Sequence, residues 1–158
     1  MSDIFSKGCT KMDIQKVAVI GSGVMGSGIA AQIANADLPV VMLDIVPPDL
    51  EKAGGNRNAF AQGAVEKMLK TDPAPFMHKS NAKRITCGNL EDDLDKLSEC
   101  DLIIEVVLED LKVKHETYEK IIKHARKDAI ISSNTSTIPL AQLAEPFDDD
   151  FKSRFLIT

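Results

Sequence analysis

The feature that most limits the fold of this chain is a regular alternation of short apolar runs with longer helical patterns. Strand-length runs occupy Lys16 to Ile20 (KVAVI), Pro39 to Ile45, Arg84 to Cys87, Asp101 to Leu108 (DLIIEVVL), Ala129 to Ser133 and Arg154 to Thr158 (RFLIT). Between them, helical spacing predicts helices over Val24 to Asn35, from Asp49 to about Lys70, over the acidic Glu91 to Ser98, over Lys112 to Arg126 and from Leu140 to about Glu145. A continuous β-branched run such as KVAVI suits burial on both faces, which is what parallel strands covered by crossover helices need. The alternation therefore predicts βαβ units in an α/β fold: a mostly parallel six-stranded sheet with helices on both faces. Thr71 to Ser80, with Pro73 and Pro75, reads as a loop, and so does the acidic run before Arg154.

Three glycines then narrow the chemistry. Gly21, Gly23 and Gly26 form GxGxxG directly after the first strand and at the head of the first helix. Gly21 permits a tight turn, Gly23 has no side chain to hold a pyrophosphate away from the backbone, and Gly26 lets helix and sheet pack closely. Val24 and Met25 open the helix, where free amides and the helix dipole attract an anion without any Lys or Arg. Glycines in this pattern also occur in ordinary turns, so position decides the meaning. Asp44 lies 23 residues beyond Gly21, at the end of the second strand. A carboxylate there accepts bonds from the adenosine ribose and repels a 2′-phosphate, which selects NAD over NADP; the competing reading is a solvated turn acid. The expected architecture is a doubly wound, Rossmann-type domain with strand order 3-2-1-4-5-6.

Composition removes other classes. The chain has 158 residues, suited to one domain, with 24 acidic against 19 basic residues and no basic run, which argues against nucleic acid. Cys9, Cys87 and Cys100 are odd in number and widely spaced, without a CxxC pair, so free thiols are expected and no metal site. The first residues match neither a secretory nor a transit leader, and no run is long enough to span a membrane, so a cytoplasmic protein is expected. Residues 1–14 are expected as a flexible arm and 15–158 as the domain. Because natural termini seldom fall inside a buried strand, the chain is expected to be a segment of a longer protein.

GSGVMGSGIA at 21–30, EVVLEDLKVK at 105–114 and SSNTST at 132–137 occur together and in order. Together they resemble the N-terminal domain of the 3-hydroxyacyl-CoA dehydrogenases, the NAD-dependent enzymes of fatty acid β-oxidation. The resemblance runs from about Gln15 to the end and is loose over Pro47 to Asp95. It implies oxidation of (S)-3-hydroxyacyl-CoA to 3-ketoacyl-CoA with NAD, an acyl-CoA partner and a homo-oligomeric whole protein. It also implies that Glu109 and Lys114 lie near NAD, that Asn134 contacts the nicotinamide side, and that Ser136 bonds the substrate oxygen at C3. Thr137 stands where the family often has Ser.

Taken alone, Glu109 and Lys114 could be surface charges, although Glu109 sits at the carboxyl end of the fourth strand, where open α/β sheets bind ligands. Asn134, Thr135 and Ser136 follow the fifth strand at the same edge and could equally form a turn and cap before Pro139.

In the family a His closes a segment RFxGxH and a later Glu orients it. Arg154 and Phe155 match its start, Leu156, Ile157 and Thr158 replace xGx, and in that register the His would be residue 159. The domain is therefore expected to bind NAD without turnover and to precede a helical substrate and dimerisation domain. His78, His115 and His124 do not fill the role by position and read as surface residues. Lys67 and Lys70 on the second helix are candidates for the CoA phosphates, against a reading as solvated helix charges. Two rivals stand beside this reading: another β-hydroxyacid dehydrogenase, of the 6-phosphogluconate or 3-hydroxyisobutyrate type, and a non-catalytic NAD-binding module. SSNTST and Asp44 argue against the first.

Overall fold

The computed structural model describes residues 13–158. Most of the expected N-terminal arm, and Cys9, lie outside the described residues. Six strands form one sheet: β1 (Val17–Ile20), β2 (Val40–Asp44), β3 (Ile85–Asn89), β4 (Leu102–Glu105), β5 (Ile130–Ser133) and β6 (Phe155–Ile157). Their order is β3-β2-β1-β4-β5-β6, as expected, and each neighbouring pair is parallel, so the sheet is wholly rather than mostly parallel.

Both faces of the central strand are covered. Val19 of β1 packs with Ala30, Ala31 and Ala34 of α1 (Val24–Asn35), whose small side chains let the helix lie close to the sheet. On the other face Ala18 and Ile20 join Tyr118 and Ile121 of α3 (Leu111–His124). Each fully buried Val or Ile contributes about 1.5–3 kcal/mol, which fixes the register of β1 and hence the place where its glycine turn begins. Two further helices, α4 (Leu140–Ala144) and α5 (Asp149–Ser153), close the second face. There Tyr118, Phe147, Phe151 and Phe155 form one aromatic cluster, with the Tyr118 and Phe155 rings 5.2 Å apart.

Several element boundaries differ from expectation for identifiable reasons. The second helix, α2, spans Ala59–Lys70 and does not start at Asp49. Asp49 caps only an isolated turn, accepting the Lys52 amide at 3.1 Å, because Gly54 and Gly55 leave the helical region at φ +61° and +77°. The fourth strand stops at Glu105 because that residue's own carboxylate takes the Val107 amide at 2.8 Å and turns the chain out of the ladder.

The acidic stretch expected as a loop contains α5, capped by Asp148, which accepts from the Phe151 amide at 2.9 Å. The proline loop ends in a 3-10 helix, Lys79–Arg84, and the expected acidic helix is likewise a 3-10 helix, Leu94–Glu99. Among the described residues no helix is long and apolar enough to cross a membrane.

Candidate functional site

A wholly parallel sheet brings all its carboxyl ends to one edge. Gly21 follows β1, Asp44 ends β2, Glu105 ends β4, and Ser133 with Asn134 ends β5. The glycine turn is defined by contacts that exclude a side chain. Gly21 has φ +105°, and a Cβ there would lie 2.6 Å from the Val106 carbonyl oxygen; at Gly26 it would lie 1.9 Å from that of Gly21. The closeness expected of Gly26 is therefore first to the turn's own backbone, with Val19 of the sheet next at 3.6 Å.

Gly23 is the opposite case, exposed and with nothing within 4 Å of the Cβ position. It caps α1 without a side-chain bond, so the first-turn amides of the helix, beside the exposed Val24 and Met25, are open to an anion.

Asp44 is half-buried and locked against this turn. Its Oδ2 accepts the Ser22 amide at 2.6 Å and the Ser22 hydroxyl, while Oδ1 accepts the Ile45 amide at 2.7 Å. Three bonds leave capacity on a carboxylate that offers about four acceptor positions. The residue thus closes the turn and still faces a cavity of about 260 Å³ shared with Gly23, Phe60 and Lys67. A second cavity, of about 420 Å³, adjoins it between the glycine turn, the end of α2 and the proline loop. Lys67 lines both cavities and Lys70 lines neither. Ser22 escaped the sequence reading, since nothing in the motif itself says that the variable position donates twice.

Across the switch point between β1 and β4 the site is made of side chains. Glu105 is wholly buried; its Oε1 accepts the Val107 amide and the Lys114 ammonium, each at 2.8 Å, and its Oε2 accepts the Tyr118 hydroxyl at 2.6 Å and the Ser133 hydroxyl at 2.7 Å. Lys114 is also wholly buried, which removes the surface-charge reading for it, and stands 3.3 Å from Glu109 Oε2.

Glu109 is exposed and accepts at Oε1 from the Thr135 hydroxyl and, at 2.7 Å, from Thr137. These hydroxyls, and then Lys114, hold its carboxyl down at about 2. Asn134 donates its amide to the Glu105 carbonyl at 2.8 Å and its side-chain nitrogen to the Thr158 carbonyl at 3.1 Å. Ser136 is exposed between the two threonines that hold Glu109.

Residues 16–158 match the family model described as the 3-hydroxyacyl-CoA dehydrogenase, NAD binding domain. The chain belongs to that family. It is 50% identical over 145 residues to a "Probable 3-hydroxyacyl-CoA dehydrogenase" of Deinococcus radiodurans, covering 92% of this chain and 41% of that protein. A protein of the same name from Bacillus subtilis is 49% identical over 155 residues, covering 92% of this chain and 20% of the relative. Among solved structures, that of (S)-3-hydroxybutyryl-CoA dehydrogenase from Ralstonia eutropha superposes with a TM-score of 0.64 at 29% identity, over 92% of this chain and 48% of that one. The chain thus spans less than half the length of each.

The NAD-binding domain of a 3-hydroxyacyl-CoA dehydrogenase needs an anion cradle open to solvent beside a ribose acceptor. The bare Gly23 next to Asp44 provides both, so the residues present fit the dinucleotide. Of the histidines, His78 and His124 are exposed, and His115 is half-buried rather than on the surface, its Nε2 3.1 Å from the Gln142 carbonyl and its ring against Phe147. Cys87 and Cys100 are free thiols that burial pushes up to about 11. Among the described residues no group of three or more His, Cys, Asp or Glu is placed to hold a metal ion.

Proposed function

We propose that this domain holds NAD across the carboxyl edge of its sheet as the cofactor half of an enzyme oxidising (S)-3-hydroxyacyl-CoA to 3-ketoacyl-CoA. The observation that carries the reading is the open Gly23 cradle, flanked by Asp44 on one side and by Glu109 with Asn134 on the other. Backbone amides of Gly23, Val24, Met25 and Gly26 take the pyrophosphate above the tight turn at Gly21, whose own amide donates to the Leu43 carbonyl at 2.7 Å, and Asp44 takes the adenosine ribose. Glu109, Lys114 and Asn134 form the nicotinamide side. Bound NAD supplies the hydride acceptor for C3 of the substrate.

The exposed Ser136 hydroxyl donates to the substrate's C3 oxygen, and Lys67, lining the larger cavity, is the better placed of the two lysines for a CoA phosphate. The three histidines, two exposed and His115 turned onto Gln142 and Phe147, have no role in this reading, and the 158 residues alone are expected to bind cofactor without turnover. Measurable 3-hydroxybutyryl-CoA oxidation by them overturns that statement. Assembly of the whole protein as a cytoplasmic homo-oligomer is carried by the family resemblance and the thiol-bearing composition.

Calorimetric titration with NAD and NADP, on the domain and on Asp44→Ala, tests the cofactor assignment. A charge-assisted hydrogen bond is worth about 1.5–3 kcal/mol, so NAD affinity is expected to fall about ten- to a hundredfold with the substitution. Equal affinity for both cofactors, unchanged in the variant, would undo the ribose assignment.

A further inference from the structure

Glu105 reaches no surface, and the proposed cofactor contacts do not include it. A buried carboxylate is costly unless every acceptor position is used. Here all four are: a backbone amide of its own strand end, an ammonium and a hydroxyl from α3, and a hydroxyl from β5. Three elements that meet at the cofactor edge are therefore tied to one side chain. The ring of Tyr118 is fixed by Phe147, Phe151 and Phe155, while burial and the adjoining carboxylate push its phenol well above the ordinary tyrosine range, so it stays a donor.

Lys114 lies between two acids at unequal distance, 2.8 Å from Glu105 and 3.3 Å from Glu109. With no exposed surface, it meets the cofactor edge only by way of Glu109. An ammonium deprived of Glu105 would close onto the remaining carboxylate and draw it off the Thr135 and Thr137 hydroxyls. We propose that Glu105, seated by Tyr118 and Ser133, is a positioning residue that holds Lys114 back so that Glu109 keeps its place at the nicotinamide half of the site. The proposal rests on the reading of this edge as an NAD site. Glu105 touches no substrate and is not a catalytic residue.

The test is fluorescence titration of the 158-residue domain with NADH and calorimetric titration with ADP, which engages only the Asp44 half. In Glu105→Gln, NADH affinity is expected to fall about tenfold while ADP affinity stays within about twofold; a general structural defect would weaken both. In a Lys114→Met background the further change Glu105→Gln is expected to cost no additional NADH affinity.

Should Glu105→Gln not fold, Tyr118→Phe removes one donor and keeps the ring, and about a threefold loss for NADH but not ADP is expected, again absent without Lys114. NADH binding unchanged in the variant that folds, equal losses for NADH and ADP, or an undiminished loss in the Lys114→Met background each overturns the proposal and leaves the NAD site standing. A wild-type domain that binds ADP and NADH equally poorly overturns the underlying site and the proposal together.

Discussion

The two halves of the sheet edge hold their carboxylates by different means. Asp44 is fixed largely by backbone, through the amides of Ser22 and Ile45, and sits half-buried beside a turn whose shape depends on the absence of side chains at Gly21 and Gly26. Glu105 and Glu109 are fixed mainly by side chains: an ammonium, a phenol and three hydroxyls drawn from α3, from the end of β5 and from the segment after it. A backbone-built half is intolerant of added atoms and indifferent to its neighbours' identity. A half built from side chains tolerates shape but depends on partners in pairs. The first is specified by single positions, the second only by combinations.

The strongest way to break this contrast is at the glycines. Gly26→Ala places a methyl 1.9 Å from a carbonyl oxygen, so a loss above about 5 kcal/mol, or failure to fold, is expected in urea denaturation. Gly23→Ala meets nothing within 4 Å and should cost less than about 1 kcal/mol, as a poorer cap, while still weakening NAD binding. Comparable destabilisation by the two would show that the turn is not shaped by that one contact.

Next in size is the buried pair. Lys114→Met leaves Glu105 unpaired and is expected to cost about 3–5 kcal/mol, most of it recovered when Glu105→Gln is added, because removing both charges is far cheaper than removing one. Equal stabilities of the single and double variants by denaturation would mean that pairing is not what makes this half.

The smallest effect sharpens the role of the hydroxyls. Glu109's carboxyl is lowered from an ordinary 4.5 to about 2, so its stabilising contribution is complete above pH 4.5 and is lost as pH falls toward 2. With 39% of the side chain exposed, solvent screening keeps the contribution small. In a Thr135→Val, Thr137→Val double variant the fall in thermal midpoint between pH 4.5 and 2 should be shallower than in the wild type. An identical slope would show that the hydroxyls do not hold the carboxylate.

Legibility in the sequence follows the same division. Strand order, the glycine turn and the position of Asp44 could be read because each is encoded by neighbours in the chain: period, spacing and a residue type with one conformational role. The Glu105 cluster joins residues 9, 13 and 28 positions away, and nothing local marks them. The available signal was an acid inside an apolar strand, with Lys114 and Tyr118 one helical turn apart on the face that α3 buries. The late start of α2 was encoded in Gly54 and Gly55, and α5 in the cap formed by Asp148. In both places apolar spacing, or its absence, outweighed the residues that set the backbone.

The complete burial of Lys114 also has a consequence for its reactivity. An amine must be reached to be modified, and the proposed acyl thioester substrates are themselves acylating agents. Lys112, one position removed along α3 from Val113 and 86% exposed, stands open to them. Lys114 is shielded so long as α3 rests on the end of β4. Acylation of this one lysine therefore serves as a clock for local opening of the site, each modified molecule recording a moment when the helix had lifted away.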